Sequence, residues 1–468
     1  MKPFLLALVE GAAVFGGVLA MTALWRPGGV GDFQLAVQVL LQALVLSVCC
    51  IVAFYYNDLY DLYIVRDFET FVVRLVESLG VTFILTAFSY MLLPETNMAN
   101  GPFFSSVLFI VGVLIPLRAV SYAVMRRQSF CSRAVIVGAH ALGGELIRET
   151  RNRPNCGLSI VGIVDDRGGR DTSAFGVPIL GPITEISSIL AATRPDRIVV
   201  ALSERRGRLP VWALLEAKSR GARVEEATHV YERLTGKMAL ESLMPSALIF
   251  DALLWKSRLD LTFGRLVSLV VSAVGLVVTA PLMAVIGLAI KLESPGPAFF
   301  VQERIGRHGE PFRLIKFRTM RLAAGPHSEW VRQNQDRITR LGRWLRMFRL
   351  DELPQFINIL AGDMNLVGPR PHPIANLALF REHIPYYSIR CSLRPGVTGW
   401  AQIRYGYAND LDEEIEKMRY DLFYIKHMSL MFDLRILFDS VKTVLFGRGA
   451  QSAELYDKHV ASQVVKVG

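Results

Sequence analysis

Cysteine is scarce in this chain of 468 residues, with five in all and no paired spacing. Cys49 and Cys50 fall inside an apolar run, and Cys131, Cys156 and Cys391 are scattered. That argues against a disulfide framework and a cysteine metal knuckle, and fits a reducing, cytoplasmic setting for the polar parts. Charge is low at 20% of residues, and acids are outnumbered, 42 against 52 lysines and arginines. The resulting net charge of +10 sits on a chain that is 52% hydrophobic. Such an excess suits anionic lipid headgroups better than nucleic acid. No small-residue cleavage site stands out before Trp25, so the first apolar run reads as a retained membrane helix rather than a signal peptide. A complete dinucleotide loop is missing too. Gly138-Ala139-His140-Ala141-Leu142-Gly143 carries histidine where a middle glycine would let a pyrophosphate approach. A nucleotide site and a Rossmann-like domain that binds nothing, or regulates, both remain open there.

Long apolar runs are abundant instead. Four fill the first quarter, near Phe4–Trp25, Phe33–Tyr56, Phe71–Leu93 and Pro102–Val124. Each approaches the ~20 residues needed to cross a bilayer. Glu10 in the first, and Arg74 and Glu77 in the third, weaken those two. Arg118, Arg126, Arg127 and Arg133 cluster after the fourth, which puts that end, and with four crossings the N-terminus, in the cytoplasm. From 129 to 250 short β-rich runs alternate with helical ones. Strands are expected near Arg133–Gly138, Ser159–Val164 and Arg197–Leu202, with helices from Leu142 and over Val211–Arg220. That alternation predicts a small parallel α/β domain.

A third region covers 251–468. An uncharged run from Leu266 to Ile290 would make a helix of about 37 Å, enough to span a bilayer. Its flanks are both basic: Lys256, Arg258 and Arg265 before it, and Arg304, Arg307, Arg313, Lys316, Arg318 and Arg321 after. A spanning helix would put one basic flank outside, against the charge rule. Pro281 inside the run removes a helical hydrogen bond. A kinked, re-entrant helix over about 262–291 satisfies both facts, whereas hydropathy by itself favours a fifth span.

Chemistry concentrates near residue 350. Arg340, Arg343, Arg346 and Arg349 recur every three residues, with Leu341, Trp344, Leu345 and Phe348 between them. On a helix this makes a cationic side and an apolar side, suited to a membrane interface or to a solvated face over a core. Asp351 and Glu352 follow. Neighbours on a helix point about 100° apart, so the two acids divide labour, one attacking and one binding metal, or else simply favour a helix N-terminus. Arginines nearby suit phosphate oxygens.

Four stretches carry a family resemblance: Lys316-Phe317-Arg318-Thr319-Met320, Leu350–Gln355, Gly362–Pro371 and Arg394–Gln402. In order and spacing the series resembles the bacterial sugar transferases that initiate exopolysaccharide synthesis, the monotopic polyprenyl-phosphate phosphoglycosyl transferases. The likeness covers about 255–450 and is specific. The whole layout resembles the larger members. It implies an α/β protein with membrane helices: a four-helix transmembrane region over 1–128, a Rossmann-like parallel α/β domain over 129–250 and a mostly helical catalytic domain with a re-entrant helix over 251–468. It implies transfer of a sugar-1-phosphate from a UDP-sugar to undecaprenyl phosphate at the inner membrane, with release of UMP. By the same resemblance Asp351 is the nucleophile and forms a phosphosugar intermediate, and Glu352 is associated with Mg2+. Arg370, held between Pro369 and Pro371, matches the phosphate-binding arginine. Lys316, Arg346 and Asp421 match further site positions, each also readable as a lipid contact or, for Asp421, a buried salt bridge. The helix break of the family, often Ser-Pro, reads Thr279-Ala280-Pro281 here, so it rests on Pro281. A homodimer is among the states left open, and the sugar is not named.

Two rival readings weigh less. Membrane-bound nucleotide-sugar dehydratases need an intact loop and a Tyr-x-x-x-Lys pair, and 131–250 has neither. A non-catalytic scaffold or nucleotide-sensing regulator would be free to lose Asp351, Glu352 and Arg370, which are all present.

Overall fold

The computed structural model describes residues 2–24, 33–57, 59, 68–96, 98, 100–126, 131–138, 141–153, 156–166, 176–202, 209–240, 243, 258–321, 337–406, 408 and 410–445. Arg127, His140, Lys256 and the boundary expected at 250 lie outside the described residues. Two compact units, Met1–Glu225 and Glu226–Gly468, divide the chain.

The first unit begins with four helices, α1 (Lys2–Leu24), α2 (Phe33–Tyr56), α3 (Phe68–Leu92) and α4 (Asn100–Arg126). Val14, Val18, Leu46, Phe54, Phe71, Leu75, Ile110 and Leu114 form their shared core. Gly17 lets α1 meet Phe109 of α4, since a Cβ there would sit 2.1 Å from its ring. Several hydroxyls are satisfied within the helices themselves. Ser47, Ser78, Thr82 and Thr86 each donate to the carbonyl four residues back. The charges noted in the runs are accommodated as well. Glu10 is buried among the helices, and Arg74 pairs with Glu77 at 3.5 Å.

The same unit continues with β1 (Ser132–Val137), α5 (Ala141–Asn152), β2 (Leu158–Val164), β3 (Ile179–Gly181), α6 (Ile186–Thr193), β4 (Arg197–Val200), α7 (Val211–Ser219) and β5 (Arg223–Glu226). The strands form one sheet in the order β3-β2-β1-β4-β5. Pairings of β1 with β2 and β4, and of β2 with β3, are parallel. The order reverses direction beside β1, the place where open α/β sheets bind ligands. Gly138 follows β1 at φ 103, a conformation glycine adopts without a steric cost.

The second unit starts with α8 (Ala227–Thr235), followed by α9 (Arg258–Glu293), the antiparallel pair β6 (Phe299–Ile305) and β7 (Pro311–Phe317), and α10 (Arg340–Met347). Next come α11 (Gln355–Ala361), β8 (Asn365–Val367), α12 (Leu377–His383), α13 (Tyr387–Arg390), β9 (Gly396–Thr398), α14 (Trp400–Arg404), α15 (Leu411–His427) and α16 (Leu430–Leu445). Its core gathers Leu314, Ile359, Leu366, Phe380, Trp400, Leu422, Tyr424 and Ile436. Segment 236–240 joins it: Trp400 Nε1 donates to Gly236 O, and Met238 N to Arg419 O.

The helical run of α9 passes through Pro281 without interruption. Thr279 Oγ1 donates to Gly275 O at 2.7 Å, two residues ahead of the proline. One side of α9 packs on the second unit along its length. Arg265 donates to Ile359 O and Met364 O, Gly275 meets Phe356, and Ile286 and Ile290 meet Phe317 and Leu345. Its other side is apolar and exposed, with Val270, Val274, Val277, Val278, Val285 and Leu288. Among the described residues three helical segments are long and apolar enough to cross a membrane: Ala36–Tyr56, Phe71–Leu92 and Leu259–Glu293.

Candidate active site

The site is built where α10 ends. Thr339 caps that helix by accepting from Gly342 N at 2.9 Å, satisfying one of the free N–H groups of the first turn. Gly342 has no room for a side chain, because a Cβ would lie 2.2 Å from Thr319 O. Leu341 and Leu345 turn onto Ile286, Ile290 and Phe317. Trp344 stays exposed and stacks on Phe348. The arginine row does not form one face. Arg340 and Arg343 point to solvent, while Arg346 donates through Nε to Thr319 Oγ1 at 2.9 Å. Arg349 lies beyond the helix at φ 52, a left-handed conformation that costs a non-glycine residue about 1 kcal/mol or more.

That reversal starts a short 3-10 turn, Leu350–Glu352, which buries both acids. Neither caps α11, whose N-cap is Pro354. The two carboxylates have different surroundings. Glu352 Oε1 accepts from Arg370 Nη2 at 2.9 Å, and Oε2 stands 3.7 Å from Arg349 Nη1. Burial pushes the Glu352 carboxyl up, but Arg370 and Arg349 outweigh it and hold it below its usual range. Asp351 accepts no hydrogen bond from any described residue. Burial first, and then the charge of Glu352, push its carboxyl up to about 6, against the pull of Lys316, Arg346 and Arg370. Adjacent acids thus differ: one is tied and ionised, the other unencumbered and titrating near neutrality.

Cations surround the pair. Lys316 comes from β7 and lies over the Phe300 ring at 5.1 Å. Burial, and then Arg304, push its ammonium down to about 8. Arg370 is held through its own backbone and that of its neighbours. Pro369 O accepts from Gly396 N, Arg370 O from Arg390 Nη2, and Pro371 O from Arg304 Nη1. With prolines fixing φ on both sides, the guanidinium has a rigid base. It bridges Glu352 and Gln402, donating to Gln402 Oε1 at 2.7 Å.

Behind Arg370 lies a buried ionic layer. Arg390 donates to Asp421 Oδ2 at 2.6 Å and to His372 Nδ1 at 2.9 Å. His372 is neutral, pushed down to about 3 by burial and by Arg390. Its Nδ1 also faces the Tyr387 hydroxyl, which leaves the proton on Nε2, 2.7 Å from Glu414. Lys417 pairs with Glu414 at 3.2 Å. Asp421 is therefore a buried partner of Arg390, one layer behind Arg370. Lys316, Arg346, Arg370, Asp351 and Glu352 do come together. From sequence, Arg349 and Arg304 stood out only as members of basic stretches, and Thr319 and Gln402 only as members of the Lys316–Met320 and Arg394–Gln402 motifs. Arg390 carried no signal at all.

Among the described residues no three His, Cys, Asp or Glu side chains converge to hold a metal. Magnesium asks for less, since it takes one or two carboxylates and completes its shell with water and substrate phosphate. Asp351 and Glu352, adjacent and buried, fit that donor set.

Comparison with known proteins agrees with this geometry. The profile described as bacterial sugar transferase matches residues 259–447, and one described as CoA-binding domain matches 55–209. A UDP-N-acetylgalactosamine-undecaprenyl-phosphate N-acetylgalactosaminephosphotransferase of Aeromonas hydrophila is 39% identical over 47% of this chain, and the chain spans about half of it, 52%. A UDP-glucose:undecaprenyl-phosphate glucose-1-phosphate transferase of Escherichia coli is 31% identical over 68% of each chain. An exopolysaccharide production protein of Rhizobium leguminosarum is 38% identical over 40% of this chain and 97% of its own length. The sugar transferase profile covers the acid pair and the bridging arginine, and the Escherichia coli relative is matched over two thirds of its length; the chain belongs to the bacterial sugar transferase family.

Proposed function

We propose that this protein transfers a sugar-1-phosphate from a UDP-sugar to undecaprenyl phosphate, as the first membrane step of exopolysaccharide synthesis. The observation that carries the reading is Asp351: buried, free of hydrogen bonds among the described residues, and ringed by Lys316, Arg346 and Arg370. A carboxylate oxygen of Asp351 attacks the sugar-bearing phosphorus. The bond from that phosphorus to the bridging oxygen breaks, and UMP leaves with the electron pair. An oxygen of the acceptor phosphate then attacks the same phosphorus. The Asp351 carboxylate leaves, and a lipid diphosphate sugar is formed. Arg370 and Lys316 hold the charge that collects on the phosphoryl oxygens. Arg346 fixes the Thr319 wall, and Asp421 steadies Arg370 through Arg390. Mg2+, held by Glu352 and the diphosphate, would neutralise leaving-group charge.

The same reading puts the chemistry at the inner face of the cytoplasmic membrane. Helices α1–α4 cross it, and α9 is re-entrant in that both its ends stay on one side, its helix continuous through Pro281. Support comes from α9 itself, whose contacts with the second unit run from Arg265 to Ile290. A spanning helix would have to free about 30 Å of its length for lipid on all sides. The exposed Trp344 and the arginines of α10 suit the headgroup layer.

The test uses full-length protein, Mg2+, undecaprenyl phosphate and a panel of UDP-sugars, with UMP as the readout. One sugar should give UMP. Asp351→Asn should abolish release and Glu352→Gln nearly so, whereas full activity in Asp351→Asn would sink the nucleophile assignment.

A further inference from the structure

Beside the acid pair lies a cavity of about 200 Å³ that the donor-side chemistry does not use. Its walls are mostly apolar: Phe348, Leu353, Phe356, Val397 and Ile403. Arg349, Glu352 and Gln402 bring it a polar edge beside the acid pair, and the two other polar side chains of the lining, Thr398 and Ser440, bond each other through their hydroxyls. An apolar cavity of about 150 Å³ in a protein stays dry and takes a six-carbon ring. A five-carbon isoprene unit therefore fits here.

The polar edge has spare donors. Arg349 makes two long contacts, 3.4 Å to Gln402 Oε1 and 3.7 Å to Glu352, both through Nη1. Gln402 is fixed by Arg370 on its Oε1, and its buried Nε2 has no hydrogen-bond partner. One wall adjoins a surface assigned to the membrane, since Phe348 stacks on the exposed Trp344. Phe356 closes the opposite wall against Gly275 on the covered side of α9. A ligand apolar along its length and anionic at one end complements this arrangement. A sugar or a uracil would leave its polar groups unpaired against phenylalanine and isoleucine.

We propose that this cavity receives the first isoprene unit of the acceptor lipid, with Arg349 at its mouth drawing the acceptor phosphate toward the phosphorus on Asp351. The inference rests on the reaction proposed above and goes beyond it by giving the acceptor a place separate from the donor. The acceptor phosphate then attacks from the face that UMP has left, opposite Asp351, while its apolar chain has a place of its own, and Arg349, the strained residue, serves the second step.

Two measurements on full-length protein in nanodiscs test this. A short polyprenyl phosphate carrying a diazirine on its first isoprene unit should label peptides containing Phe348, Phe356 or Ile403, and undecaprenyl phosphate should compete. Labelling elsewhere overturns the assignment. This readout needs no turnover, so labelling at these peptides without any UMP release would uphold the cavity and sink the reaction instead. In kinetics, Ile403→Trp should fill the slot and raise the acceptor KM at least about tenfold, through lost apolar burial. UMP formed in a single turnover without acceptor should persist, which also reports that the variant is folded. An unchanged acceptor KM, or a loss confined to donor KM, would overturn the proposal. Val397→Phe, a smaller intrusion on the same wall, should shift the acceptor KM in the same direction.

Discussion

Asp351 and Glu352 are neighbours in sequence and opposites in chemistry. Glu352 gains two arginines and is held ionised. Asp351 gains burial and a negative neighbour, and is pushed up to about 6. Its folded form therefore holds a proton more tightly than an unfolded chain does, so the stability of the protonated form is present at low pH and lost as pH rises through 6. Ionised Asp351 costs about 3 kcal/mol at most for a shift of roughly two units. Asp351→Asn should accordingly raise the melting temperature at pH 7.5 and leave it unchanged near pH 4, while UMP release disappears. A site built to react is here a site that costs stability. Turnover should follow the opposite sign. As the nucleophile, Asp351 must be ionised, so the rate climbs as pH rises through about 6. Lys316, pushed down to about 8, loses its charge above that, and the rate falls again. The two limbs belong to the coupled group rather than to single residues. Lys316→Arg, which stays charged, should move the alkaline limb upward in a pH–rate series while the acid limb stays.

At the scale of the element, α10 acts as a lever between the membrane surface and the acids. Its docking depends on Gly342, since Thr319 O occupies the space a Cβ would need. Gly342→Ala should lower stability by about 1–3 kcal/mol through overpacking and break the Arg346–Thr319 bond. Thermal unfolding and UMP release should both register it, whereas Arg343→Ala, at an exposed position, should change stability by less than about 0.5 kcal/mol. Such dependence is hard to read from sequence. The period-three arginines suggest one cationic face, but the helix stops at Met347 and the backbone reverses at Arg349, sending two arginines outward and two toward the acids. Longer apolar elements are easier. The runs of α1–α4 show in hydropathy because they are apolar on every side, and the strands β1, β2 and β4 because most of each is buried. Strands β3 and β5, only 3 and 4 residues long, and the arginine-bearing pair β6–β7 do not. Gln402 and Arg390 act only through partners that tertiary packing brings from far along the chain, 32 residues for Gln402 and Arg370, and 31 for Arg390 and Asp421. Nothing local in the sequence announces those pairs.

For the whole molecule, the decisive matter is how α9 meets the bilayer. Cysteines placed by Arg258→Cys and Glu310→Cys, in a background lacking the five native cysteines, should react with an impermeant maleimide from the same side of sealed vesicles. Labelling from opposite sides would require a spanning helix and would separate Arg265 from the carbonyls it holds. The layout that was legible from the chain is the order of parts: apolar runs, then an α/β region, then the acid pair. What was not legible is that 227–240 packs into the unit carrying the acids, which follows from side-chain fit such as Trp400 on Gly236 rather than from composition.

The half-covered helix α9 has one more consequence. If the valines along its open side face lipid, as proposed, the catalytic unit is held in the plane of the bilayer and would meet a lipid acceptor by diffusion in two dimensions. What the enzyme senses is then the number of acceptor molecules per area of surface, not per volume of solution. Adding inert lipid at constant total acceptor should slow it, while adding buffer should not.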